Sequence, residues 1–139
     1  MLIGFHSNYK GYHNNRMLLD PSSPLGDNLM YPFFYLAREL EKLGHSAATI
    51  DTQDIKKFDA IIFVDFPAQS DKYFKQAIKN NITNLYLIAL ESPIIQPKNY
   101  NKQFHAYFKK VFTCDDTLID NKKYLKINYS HHIPKEFNF

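Results

Sequence analysis

Glu91-Ser92-Pro93 follows directly on the most apolar run of the chain, Leu-Tyr-Leu-Ile-Ala-Leu at residues 85–90. Bounded by Asn84 and Pro93, that run is too short for a typical helix and reads as a buried central strand. The strand thus delivers a carboxylate at its carboxyl end, the edge of an open α/β sheet where ligands bind. A carboxylate held among apolar neighbours is partly desolvated, which raises its pKa toward the range a general base needs at neutral pH. Glu91 is therefore the candidate catalytic base. On the local pattern alone, a glutamate capping the next helix or pairing with a surface lysine is the more frequent outcome.

Other acids close neighbouring apolar stretches. Asp65 ends the run at residues 59–65, just before Pro67, and Asp115-Asp116 follow the short run at 111–113. Parallel strands joined by right-handed crossovers bring such ends to one edge of a sheet. Residues 6–28 are rich in Asn, Tyr, His, Pro and Ser and open on the same edge. Connections of that length are usually functional or disordered. A cleft rimmed by carboxylates, amides and tyrosines suits a polyhydroxyl ligand such as a sugar. Around Glu91, the candidates for substrate binding are Asp65, Ser92, Asn28 and Tyr31. For Asp115 and Asp116, capping of a following helix is the favoured role.

Strand and helix patterns alternate from end to end, which predicts an α/β fold: a Rossmann-like open parallel sheet with helices on both faces. Strands are expected at residues 2–5, 47–50, 59–65, 85–90 and 111–113, with a sixth candidate at 124–128. The expected order is two-one-three-four-five, because the second strand is short and amphiphilic whereas the third and fourth are fully apolar. A helix is expected from Asp27-Asn28 as cap to Leu43, with Phe33, Leu36, Ala37, Leu40 and Leu43 facing the core and Gly44 ending it. A second helix over residues 71–79 would set Phe74 and Ile78 on one face. A short amphipathic helix near residues 102–108 would present Phe104, Tyr107 and Phe108. Ile133-Pro134-Lys135 reads as a linker.

Composition narrows the function classes. The 139 residues make one domain, and 45% hydrophobic content supports a real core. A net charge of +3 is too mild to imply a nucleic-acid partner. Lysines concentrate in the last third, mostly as solvated faces, with peripheral membrane contact as a minor reading. The sequence shows no secretory leader and no transmembrane run, so a cytoplasmic location is expected. Cys114 stands alone, which excludes a disulfide framework. Four glycines form neither G-x-G-x-x-G nor a P-loop. The histidines lack metal-ligand spacing and read as surface or loop residues. No cofactor or metal is expected in this chain.

The segments Phe58 through Asp65 and Leu90-Glu91-Ser92-Pro93 resemble the amino-terminal half of α-1,3/4-fucosyltransferase-like enzymes, glycosyltransferase family ten. So do Lys110-Val111-Phe112-Thr113 with Asp115-Asp116, Asp120-Asn121-Lys122-Lys123-Tyr124, and the early Pro24-Leu25 and Tyr31-Pro32-Phe33. The ordered set is more specific than any one motif. The resemblance implies one half of a GT-B fold, the half that handles the acceptor sugar. The other half of such enzymes binds GDP-fucose, so a donor-binding domain is expected outside these 139 residues. Glu91 matches the glutamate regarded as the general base in transfer of fucose, with inversion, to a surface-glycan acceptor. Cys114 stands where an aromatic residue is expected. Two alternatives stay open: a non-catalytic carbohydrate-binding module of the same fold, or an unrelated flavodoxin-like domain. Against the last, Ser7-Asn8-Tyr9-Lys10 makes a poor phosphate loop.

Overall fold

The computed structural model describes residues 1–22 and 28–129. Asp27, Pro24-Leu25, His131-His132 and the expected linker lie outside these residues. Six strands form one sheet: β1 (Leu2–Ser7), β2 (Ser46–Thr49), β3 (Ala60–Val64), β4 (Leu85–Ala89), β5 (Lys110–Thr113) and β6 (Tyr124–Lys126). Their order is β2-β1-β3-β4-β5-β6 and every pairing is parallel. The expected order and direction hold, and the sixth strand extends the sheet. The architecture is α/β and Rossmann-like.

The helices lie on both faces. α1 (Arg16–Leu19) and α2 (Tyr31–Lys42) pack Met17, Leu18, Phe33 and Ala37 against Ile3, Phe5 and Val64. On the other face α3 (Lys72–Lys79) sets Phe74 and Ala77 over Ile61, Phe63, Leu85 and Leu87. Alternate residues of β3 and β4 thus feed opposite cores, as a strand buried on both sides requires. A ring cluster of Phe63, Phe66, Phe74 and Phe108 fills the second core, with centroids 5.5–6.2 Å apart.

Local chemistry sets the helix ends. At α2, Gly44 adopts φ +78°, His45 N–H donates to Leu40 O and Gly44 N–H to Glu41 O, a Schellman stop. The start departs from expectation. Asn28 does not cap α2: the capping position is Met30, with no side-chain bond, while Asn28 at φ +51° begins the preceding turn by accepting from Tyr31 N–H at 2.8 Å. Asp71 caps α3, accepting from Phe74 N–H at 2.8 Å, and its other oxygen meets His6 Nε2 at 3.0 Å. Burial alone would push the Asp71 carboxyl up; the bonds from His6 and the helix N–H groups outweigh it and hold it below the usual range.

Several expectations need correction. Leu43 and Ile78 are exposed, because the αL stop turns Leu43 outward and Ala77 takes the inward position on α3. The segment near residue 104 is a 3₁₀ turn, Phe104–Tyr107, rather than an α-helix. Residues 6–28 are not simply a loop: β1 runs to Ser7, a 3₁₀ turn spans Lys10–Tyr12, and α1 buries Met17 and Leu18. Side chains from the strand edge anchor that stretch. Thr49 N–H donates to Asn15 Oδ1 at 2.7 Å, and Asn14 N–H donates to Asp51 Oδ2 at 2.8 Å. His6 and His105 are buried, not surface residues.

Gly4 marks a close approach between β1 and the layer beneath it. A Cβ there would lie 2.6 Å from Ile50 Cγ2 and 2.9 Å from Phe58 Cδ1, and both neighbours are themselves buried. Gly4→Ala should therefore destabilise the fold by about 1–3 kcal/mol in denaturant melts, the usual cost of overpacking.

Candidate functional site

The site begins with Asp65, the first residue past β3. It is half-buried and adopts φ +61°, which breaks the strand at that residue. Asp and Asn tolerate this left-handed backbone better than most side chains because they can bond locally. Here the carboxylate does more. Asp65 Oδ1 accepts from Leu90 N–H at 2.8 Å, Glu91 N–H at 2.9 Å and Asn99 Nδ2 at 2.7 Å. One oxygen therefore fixes the backbone that carries Glu91 at the end of β4.

Asn99 relays that order inward. It is fully buried; its Oδ1 accepts from Phe66 N–H at 2.7 Å, and its Nδ2 also donates to Glu91 O at 3.2 Å. Its carbonyl meets His105 Nε2 at 2.9 Å, and His105 Nδ1 lies 3.3 Å from the Tyr124 hydroxyl. A carbonyl can only accept, so Nε2 carries the proton and Nδ1 accepts from Tyr124. Burial is the main force holding His105 below its usual pKa, with Lys123 and Lys102 adding to it against the opposing Asn99 carbonyl. The chain Glu91–Asp65–Asn99–His105–Tyr124 ties the ends of β3 and β4 to β6.

Above this frame lies a cavity of about 770 Å³. Its wall comes from the carboxyl ends of β1 (Ser7, Asn8), β3 (Val64, Asp65) and β4 (Ile88, Glu91), closed on one side by α2. The chain leaves β1 for β2 on one flank and crosses to β3 on the other, so this is the point where strand order reverses. Open α/β sheets bind ligands there. Tyr12 sits in the wall. Burial first, then Tyr9 and the carboxylates of Glu91 and Asp65, push its hydroxyl pKa up. Tyr129 is raised likewise by burial, by Cys114 and by the same carboxylates, and its hydroxyl donates to Leu90 O. Both phenols stay protonated; Tyr129 spends its proton on Leu90 O, so Tyr12 is the one that can donate to a ligand oxygen. Tyr100, beside Cys114, is pushed up to about 12 by burial and the thiol.

Of the expected site residues, the structure gathers Glu91, Asp65 and Asn28 in the cavity wall. Ser92 and Tyr31 are not part of it. The carbonyl of Ser92 closes the turn after Glu91, accepting from Ile95 and Gln96 N–H at 3.1 and 2.8 Å. Tyr31 stacks on Tyr35, which does line the cavity. Glu91 itself is exposed, so its apolar surroundings are missing: β4 ends at Ala89 and burial ends with it. Asp115 caps no helix but accepts from Thr117 N–H and Oγ1 at 2.9 and 2.7 Å, and Asp116 pairs with Lys126 at 2.6 Å. Asn99, His105 and Tyr12 were not anticipated; they sit in polar stretches whose local pattern gives no sign of their place.

Among the described residues, no group of three or more His, Cys, Asp or Glu is placed to hold a metal ion, and no helix is long and apolar enough to cross a membrane. Comparison with protein-family models, curated proteins and solved structures returned no match for this chain.

Two outcomes follow from the buried chain of bonds. Asn99→Asp replaces the donor to Asp65 with a second carboxylate, and should lower stability by about 2–4 kcal/mol in denaturant melts, the scale of unsatisfied buried polar groups. His105 folds in its neutral form, so its contribution is complete above about pH 6.5, the unfolded value. It should decline as pH falls from there through the lower folded value. Melts from pH 7.5 to 5 should show that slope, and His105→Gln should flatten it.

Proposed function

We propose that this domain binds the acceptor saccharide of an inverting glycosyltransferase, with Glu91 as general base. The observation that carries the reading is the position of Glu91. It stands on a backbone fixed by Asp65, at the strand-reversal cavity, with protonated Tyr12 and Tyr129 close by. Carboxylate, phenol and amide groups are the set that recognises sugar hydroxyls. The motif resemblance adds the reaction: Glu91 takes the proton of an acceptor hydroxyl, the oxygen attacks the anomeric carbon with inversion, and GDP leaves from GDP-fucose. A donor-binding domain would bring the nucleotide and cover Glu91. That cover would supply the desolvation a base needs, which this domain by itself does not.

The exposure of Glu91 favours a second reading as well, a carbohydrate-binding module that keeps the cleft without transfer chemistry. Substitution separates the two. In an enzyme containing this domain together with a donor-binding domain, Glu91→Gln should cut turnover by about 10²–10⁴-fold, the range for a positioned base. Acceptor binding should change little. Unchanged turnover in folded Glu91→Gln protein would remove the general-base role.

The donor provides an independent check. Calorimetry on this domain alone should show GDP-fucose binding weaker than about 1 mM, near −4 kcal/mol. A micromolar constant would place the donor site on this domain instead.

A further inference from the structure

The lining of the cavity divides by burial. Its floor is apolar: Val64, Ile88 and Phe33 are buried there, with Leu36 and Leu90 half-buried beside them. None of these side chains offers a hydrogen bond. Of the polar lining residues, Ser7 is buried, Tyr12 and Gln96 are half-buried, and Asn8 and Glu91 are exposed and mark the rim. A bare sugar pressed onto the floor would lose water from its hydroxyls without gaining partners, which opposes binding.

The apolar surface also continues outward. Ile95 lines the cavity yet is 69% exposed, and its neighbour Ile94 is 92% exposed. At about 770 Å³ the space falls in the class that buries a drug-sized ligand, so a sugar and an attached apolar group fit together.

We infer that the cavity takes an amphipathic glycoside, with an alkyl-type aglycone along the floor and out past Ile95, and the sugar at the Glu91 rim. This rests on the saccharide reading of the same site and names the class of acceptor: a sugar already joined to a hydrophobic carrier. The apolar floor supplies affinity that the rim hydrogen bonds, exchanged against water, do not.

The test compares octyl and methyl β-galactosides and β-glucosides, with 1-octanol as the sugar-free probe, all below micelle-forming concentrations. Binding to the full chain is measured by calorimetry. Octyl glycosides should bind at least tenfold tighter than their methyl counterparts, and Ile95→Asn should remove at least threefold of that gain. Ile95 is exposed, so the variant should fold; its melting temperature checks this. Equal affinity for octyl and methyl glycosides would overturn the inference and leave the saccharide reading standing. An octyl advantage that survives intact in Ile95→Asn would also overturn it. If 1-octanol binds as tightly as the octyl glycosides, the apolar floor is upheld and the saccharide reading falls. Absence of binding by every probe would overturn both.

Discussion

The carboxylate of Asp65 holds the carboxyl edge of this sheet together. A strand ending in the left-handed region has turned its backbone away from the ladder, and the next polar groups need other partners. Oδ1 of Asp65 supplies them for Leu90, Glu91 and Asn99. Asn99 then satisfies Phe66 N–H from inside the fold. The Phe66–Asn99 bond is buried, where a low dielectric strengthens it and makes a missing partner more costly. Without the Asp65 carboxylate the Leu90 and Glu91 N–H groups would lose their tie to the end of β3, leaving Asn99 to hold that turn through Glu91 O.

That arrangement divides labour between two acids. Asp65 is occupied with backbone and amide donors on one oxygen, which suits a residue that positions others. Glu91 is exposed, and among the described residues only its backbone is hydrogen-bonded, which leaves its side chain turned to solvent. The nearby phenols of Tyr12 and Tyr129 retain their protons in the field of both acids, and because Tyr129 donates its own to Leu90 O, Tyr12 is the phenol donor. Acceptor and donor groups therefore face the same space, as recognition of a hydroxyl demands. The buried apolar lining beside them, Val64, Ile88 and Phe33, is the ground for proposing a ligand with a hydrophobic portion.

Much of the sheet was legible because β3 and β4 are continuous apolar runs with acids behind them, and such runs have few alternatives to a buried parallel strand. Glu91 and Asp65 followed from the same pattern. What stayed hidden depends on distant contacts. Met17 and Leu18 sit within a polar stretch, and their burial rests on the ties from Asn15 to Thr49 and from Asn14 to Asp51. Asn99 lies between Lys98 and Tyr100 in a lysine-rich stretch, where an amide ordinarily reads as surface. Nothing local announces that it is buried beneath Phe66. The exposure of Glu91 was equally illegible: hydrophobicity upstream describes the strand, while burial past its end depends on what covers the edge.

The central claim is that a saccharide binds at the carboxyl edge beside Glu91. The most direct measurement is a backbone amide NMR titration of the chain with an acceptor-type glycoside. Shift changes should concentrate at Asn8, Tyr12, Asp65, Leu90 and Glu91, with the opposite edge near Ile82 and Lys109 unmoved. Changes confined to that opposite edge, or none at millimolar glycoside, would contradict the account.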